Sequence, residues 1–169
     1  MGMSRMSLYY TIIETQIGWI GLLADDGALI EVELPRPTKA KVEAAMPAEA
    51  VLVPNRFSNL AEQLELYFSG QPVSFADVHV KFEGLGKFEE RVLRETMNVP
   101  FGKLTTYGAL AASVGSPGAA RAVGNTMRRN PLPIIVPCHR VIHSGGGIGG
   151  YSAGIDLKRR LLALEGIVL

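Results

Sequence analysis

The sequence predicts two domains: a small α/β unit over residues 1–84, an antiparallel sheet with a helix, and a mostly α unit built on a helix-turn-helix over residues 85–169. Three observations predict this. Strand-like segments fill the opening of the chain and one amphipathic helical segment follows them. After Gly84 the pattern turns to short helices punctuated by Gly and Pro. The charge divides at the same place: residues 1–84 carry six Lys/Arg against eleven Asp/Glu, a net of −5, and residues 85–169 carry eleven against five, a net of +6. The overall net charge of +1 therefore hides an acidic half and a basic half, and the basic half is the one suited to a polyanion.

In order along the first half, LYYTIIET and GWIGLLA are rich in β-branched and aromatic residues, and ALIEVELP alternates apolar and acidic positions. Asp25-Asp26-Gly27 between the second and third is a hairpin signal, because Gly accepts positive φ. A linker rich in Ala, Lys and Glu follows. Asn59 to Phe68 reads as an amphipathic helix stopped by Gly70 and Pro72, and VHVKF as a short strand. His79 in that strand is a packing or surface residue, and no chemical constellation stands out in this half.

In the second half KFEERVLRETM predicts a helix with Phe88, Val92, Leu93 and Met97 on one stripe. Tyr107–Ser113 predicts a short helix, and Val-Gly-Ser-Pro a turn that places Pro117 in the first turn of the helix GAARAVGNTMRR. Two short helices across a tight turn make a helix-turn-helix candidate. In the second of them Gly118, Ala119, Ala120, Ala122 and Gly124 remove bulk and leave Arg121 as the large side chain in their midst. A major-groove reader would show several polar side chains, whereas a single Arg on a small-residue surface suits shallow contact with the minor groove. Close helix–helix packing is the alternative use of the same small residues.

Cys138, in PIIVPCHRVIHSGGG, is the only cysteine, which excludes an internal disulfide and a zinc site built from several thiolates. No apolar run reaches the roughly 20 residues of a membrane span, and the opening MGMSRMSLYYTIIE lacks the order of a signal peptide. The expectation is a cytoplasmic protein. Cys138 is then either an inert buried thiol, which packs as a small hydrophobe, or a reactive one; the thiolate is the nucleophilic form, and in the reactive reading His139 is its base, acting through a water molecule or where the chain turns. A carboxylate would complete the relay. The acids downstream are Asp156 and Glu165; Asp156 stands where the N-cap of a final helix belongs, which leaves Glu165 as the orienting acid. The glycine-dense stretch Ser144–Gly154 lacks the Gly-Lys-Ser/Thr of a phosphate-binding loop, and reads as a linker or a pocket wall.

Pro137-Cys138-His139-Arg140-Val141, preceded by Arg121-Ala-Val-Gly124 and Asn130-Pro-Leu-Pro133 and followed by Gly150-Tyr151-Ser152, resembles the O6-alkylguanine-DNA alkyltransferases in order and spacing from about Phe88 to Gly166. The resemblance implies an RNase H-like first domain and a winged helix-turn-helix-like second one. It implies DNA repair by direct reversal: irreversible, single-turnover transfer of an alkyl group from O6-alkylguanine, with O4-alkylthymine a further candidate, onto Cys138. His139 would withdraw the thiol proton, Glu165 would hold the imidazole, and Tyr107 would protonate the departing base. Arg121 would enter the stack vacated by the flipped base, with Thr106, Ala119, Ala120, Ala122 and Gly124 against DNA. Asn130, Pro133, Val141 (through its carbonyl), Tyr151 and Ser152 would form the base pocket. The partner implied is double-stranded DNA bound by a monomer through its minor groove; no membrane, metal or cofactor is implied.

Two departures carry expectations. Leu93 stands where a Trp is common, a packing change, and the small Ser152-Ala153 pair predicts a pocket that accepts alkyl groups larger than methyl. A cysteine hydrolase and a helix-turn-helix regulator without chemistry are the competing readings. The hydrolase would turn over repeatedly and need an oxyanion hole, and the regulator would tolerate loss of Cys138.

Overall fold

The computed structural model describes residues 7–169, so the first six residues of the opening segment lie outside it. The described chain forms two compact units. The first runs through Ser69 and includes Val78–Glu83; the second takes Gly70–Asp77 and then Gly84–Leu169.

In the first unit β1 (Leu8–Thr15), β2 (Gly18–Asp25) and β3 (Ala28–Arg36) form an antiparallel meander. Asp26 and Gly27 make the two-residue turn between β2 and β3, both at positive φ (46° and 92°), the twist that a tight hairpin requires. The linker expected after β3 contains a helix, α1 (Lys39–Ala45), capped by Thr38, whose hydroxyl accepts from the Lys41 N–H. Val42 and Met46 of this segment pack with Leu23 of β2 in a core cluster. A two-residue strand, β4 (Val51–Leu52), adds parallel to β1, giving the order β3-β2-β1-β4. Helix α2 (Ser58–Phe68) buries Leu60, Leu64, Tyr67 and Phe68, the apolar stripe its sequence periodicity predicts. VHVKF is not a strand: Val80 makes a single bridge to Leu29, where the Leu29 N–H donates to the His79 carbonyl and the Lys81 N–H to the Leu29 carbonyl. One bridge satisfies that edge, and the His79 side chain is exposed.

In the second unit α3 (Lys87–Thr96) buries Val92, Leu93 and Thr96, with Leu93 wholly inside; Glu89 caps its start by accepting from the Gly86 N–H. A short strand β5 (Thr105–Thr106) leads into α4 (Tyr107–Ser113), whose cap is the Thr106 hydroxyl. Helix α5 (Ala120–Arg128) starts three residues after Pro117, which lies in the preceding turn and not in the helix. The proline still fits, since a turn also needs its fixed φ. Cys138–Arg140 is a single 3-10 turn, so the chain does turn at the cysteine, and it is followed by β6 (Val141–Ile142) and α6 (Ile155–Leu164). The N-cap of α6 is Gly154, so Asp156 sits in the first turn and not at the cap. Parallel pairing of β5 with β6 sets Thr105 opposite Val141 and Thr106 opposite Ile142. That pairing brings the start of α4 beside the end of the Cys138 turn. Among the described residues no helix is long and apolar enough to cross a membrane.

Candidate active site

Helix α5 turns Val123, Thr126 and Met127 inward and leaves Arg121 and Ala122 exposed. Its small residues therefore face outward, and a Cβ added at Gly124 would meet only the Tyr107 ring, at 3.9 Å. Below this face lies a cavity of about 350 Å³ lined by Tyr107, Ala120, Arg121 and Gly124 on one side and by Cys138, Gly150, Tyr151 and Ser152 on the other. Met127, Arg128 and His143 complete it.

Cys138 is 4% exposed and reaches this cavity from the 3-10 turn. Its backbone N–H donates to the Val136 carbonyl at 2.7 Å. Burial pushes its thiol up; the Asn130 side chain, the Lys158 ammonium and Tyr151 act in the opposite sense. Asn130 also ties its own turn together, donating from Nδ2 to the Val136 carbonyl (3.1 Å) and accepting the Leu132 N–H at Oδ1 (2.9 Å). The loop is thereby held in a shape that presents Cys138, with Ile134 at φ 74° inside it. The strain of a β-branched residue at positive φ is one the surrounding packing must offset.

Behind the thiol, and away from the cavity lining, His139 is fully buried and its Nε2 lies 2.7 Å from Glu165 Oε1. Glu165 also accepts from Arg140 Nε and Nη2 at 2.9–3.1 Å and from the Gly102 N–H at 2.9 Å. Burial alone would raise the Glu165 carboxyl, but the hydrogen bonds from His139 and Arg140 outweigh it and bring it down to about 2. An ionised carboxylate only accepts, so Nε2 carries the proton and Nδ1 holds the lone pair. Burial lowers the His139 imidazole, against the pull of Glu165, so at neutral pH the ring is an uncharged base. Arg140 anchors the network further by donating from Nη1 to the Val99 carbonyl at 2.6 Å.

Tyr107, half-buried at the first position of α4, has its phenol pushed up by burial, against the Gly150 backbone and Arg128. It keeps its proton at neutral pH and can donate it. Gly149, at φ 74°, lies so close that a Cβ there would sit 2.5 Å from Tyr107 Oη. The glycine-rich stretch thus packs against the tyrosine and contributes Gly150, Tyr151 and Ser152 to the cavity, as a wall does and a linker does not.

Of the residues singled out in the sequence, Tyr107, Ala120, Arg121, Gly124, Cys138, Tyr151 and Ser152 line one cavity. His139 and Glu165 form the pair behind it. Thr106 caps α4 and Ala119 caps α5, Ala122 is exposed, and Asn130 shapes the turn. Pro133 and Val141 are buried outside the cavity lining; Pro133 bridges to Val136. Sequence reasoning missed Arg140, Lys158, Arg128 and His143. Arg140 stood inside the quoted motif, and a Lys on the apolar stripe of the final helix, at 158 with Leu161 and Leu162, was a readable signal. Among the described residues no group of His, Cys, Asp and Glu could hold a metal ion.

Comparison with known proteins finds two family models along the chain. Residues 8–82 match the ribonuclease-like domain of 6-O-methylguanine DNA methyltransferase, and residues 87–167 match the DNA binding domain of the same family. A methylated-DNA–protein-cysteine methyltransferase of Methanosarcina acetivorans is 42% identical over 94% of this chain and 99% of its own. One from Mycobacterium tuberculosis is 37% identical over 94% and 92%. Among solved structures, Mycobacterium tuberculosis OGT in complex with DNA superposes with a TM-score of 0.79 at 35% identity, covering 94% of this chain and 93% of that one. The O6-methylguanine-DNA methyltransferase of Pyrococcus kodakaraensis gives 0.74 at 28% identity, covering 94% and 99%.

Proposed function

The chain belongs to the 6-O-methylguanine DNA methyltransferase family, and from that membership we propose which of its own residues carry the reaction and how. The protein repairs DNA by moving the alkyl group of O6-alkylguanine onto a cysteine of its own chain. Cys138 is the acceptor. The observation that carries this assignment is the position of its sulfur, at the floor of the cavity under α5 and next in sequence to a buried His139–Glu165 pair.

The base must leave the duplex to reach a buried thiol. The outward, small-residue face of α5 approaches the minor groove, and Arg121 fills the gap that the flipped base leaves in the stack. The guanine then lies between Tyr107 and Tyr151, with Ser152 available to its polar edge. Neutral His139 takes the thiol proton through Nδ1 and a water molecule, Nε2 being committed to Glu165. The thiolate attacks the alkyl carbon, the S–C bond forms and the C–O6 bond breaks. Tyr107 gives its proton to the departing purine, whose developing negative charge is thereby neutralised, and the proton held by His139 restores the phenol. The product is a thioether. Thiolate is a poor leaving group from an alkyl carbon, so the S–C bond is not reversed and each molecule repairs one lesion.

The protein acts as a monomer on double-stranded DNA in the cytoplasm, and its pocket, lined on one side by the small Ser152, takes alkyl groups larger than methyl. Intact-protein mass after incubation with duplex DNA carrying O6-methylguanine tests the main reading, with Cys138→Ser beside it. A gain of one methyl group, mapped to Cys138 and capped at one per protein, is expected. An unchanged mass with the lesion intact overturns the assignment. For the pocket, comparable rates on O6-methyl- and O6-benzylguanine are expected, and a tenfold or greater loss on benzyl contradicts it.

A further inference from the structure

Of the charged or titratable side chains around the cavity, Arg128 and His143 have no part in the reaction above. His143 follows β6 directly. Thr105 lies opposite Val141 and Thr106 opposite Ile142, so the same register sets His143 level with Tyr107. The two ring centroids are 5.1 Å apart, with the planes tilted by 54°. Behind the imidazole the backbone closes into a turn: the His143 N–H donates to the Gly147 carbonyl at 2.9 Å, and the Gly146 N–H donates to the His143 carbonyl at 3.0 Å. A Cβ at Gly147 would lie 3.6 Å from His143 Cδ2, so the glycine-rich loop rests against the ring. The imidazole is thus held between loop and tyrosine, yet it is exposed, and neither of its nitrogens has a hydrogen-bond partner among the described residues. A ring that only packed against Tyr107 would have no use for nitrogens left unpaired, and an imidazole always carries at least one N–H donor.

We propose that His143 binds a backbone phosphate of the flipped nucleotide, an imidazole N–H donating to a non-bridging phosphate oxygen at the mouth of the cavity. The proposal rests on the function assigned above. A base that leaves the stack to reach Cys138 brings its sugar and its two flanking phosphates to the cavity rim. A phosphodiester keeps its negative charge throughout the transfer, so it needs a donor there that the chemistry does not use. Tyr107 is committed to the departing base and Arg121 to the gap in the stack. Arg128, from α5, supplies charge at the same rim, and His143 supplies a directed donor on a ring that the loop holds still. Contacts of this kind fix the orientation of the nucleic acid without reading its sequence, which suits a protein whose target is a lesion and not a site. Since the same imidazole lies against Tyr107, capture of the phosphate and placement of the acid share one anchor.

Second-order rates of transfer from O6-methylguanine duplex are measured at limiting protein for wild type, His143→Phe and His143→Gln. The two phosphates flanking the lesion are replaced one at a time by an uncharged methylphosphonate. His143→Phe keeps a ring against Tyr107 and loses the donor, whereas His143→Gln keeps an N–H donor and loses the ring. On unmodified duplex His143→Phe is expected to slow transfer about fivefold or more, and His143→Gln to slow it less. At one of the two phosphates the methylphosphonate is expected to cost His143→Phe about threefold less than it costs wild type, because the contact is already gone. His143→Phe reacting at the wild-type rate, or no slower than His143→Gln, overturns the proposal and leaves packing against Tyr107 as the role of the ring. Equal methylphosphonate costs in wild type and His143→Phe at both positions overturn it as well. A wild-type protein that leaves the lesion intact defeats the reaction assigned above. The same cycle, read as duplex affinity by fluorescence anisotropy, then upholds or overturns the phosphate contact separately.

Discussion

At Glu165 a buried carboxylate accepts from His139, Arg140 and the Gly102 backbone at once, and this network links stability to chemistry. The carboxyl sits at 4.5 in the unfolded chain and about 2 in the folded one, so its contribution is complete above pH 4.5 and is lost as pH falls toward 2. His139 is lowered from 6.5, so the unfolded imidazole binds a proton first and stability begins to fall below about pH 6.5. Thermal unfolding followed from pH 8 to pH 3 should therefore show a monotonic fall in Tm, to which Glu165 contributes on the order of 2 kcal/mol of lost stability by pH 3. Glu165→Gln should lose this acid dependence between pH 4.5 and 3 and be less stable at pH 7, because the buried Arg140 guanidinium loses its counter-ion. Its transfer rate should drop about a hundredfold or more, since Nδ1 is no longer the defined basic nitrogen; a single-turnover rate within threefold of wild type would contradict the relay.

At the level of elements, α5 and the glycine-rich wall do different work. Arg121 is exposed on α5 at the cavity and is not among the groups that shift the Cys138 thiol, so Arg121→Ala should leave iodoacetamide alkylation of Cys138 unchanged. Transfer from duplex DNA should fall about tenfold or more, with a smaller loss on a single-stranded oligonucleotide, where no stack has to be opened. Equal losses on both substrates would remove the stacking role. The wall acts through Tyr107: a Cβ at Gly149 would lie 2.5 Å from its hydroxyl and would also be strained at φ 74°. Gly149→Ala should therefore push the ring into the cavity and slow benzyl transfer more than methyl transfer, and the ratio of the two single-turnover rates checks it. The elements of the second unit were legible because Gly, Pro and capping residues punctuate them. α1, β4 and β5 were not: a seven-residue helix and two-residue strands carry too short a period to register, and only packing or pairing stabilises them. VHVKF failed in the opposite sense, having strand chemistry but one bridge to pair with.

Over the whole molecule the charge division has a direct consequence. A segment of net +6, residues 85–169, that engages a phosphate backbone releases counter-ions, so affinity for undamaged duplex should fall about tenfold or more between 50 and 200 mM salt. A salt-independent affinity, measured by fluorescence anisotropy, would place the basic residues elsewhere than on the DNA. The sequence by itself determined the order of the two units, the single cysteine and the small residues around Arg121, because composition, spacing and motif are local properties of the chain. It also supplied Glu165, through the scarcity of acids after Cys138. The tertiary structure alone decided that Cys138–Arg140 turns, that β5 pairs with β6 and so carries Tyr107 to the thiol, and that Arg140 and Lys158 are buried beside it. Those are outcomes of long-range pairing and desolvation. A charged side chain reads in sequence as surface until a fold surrounds it and makes its hydrogen bonds the only compensation for lost water.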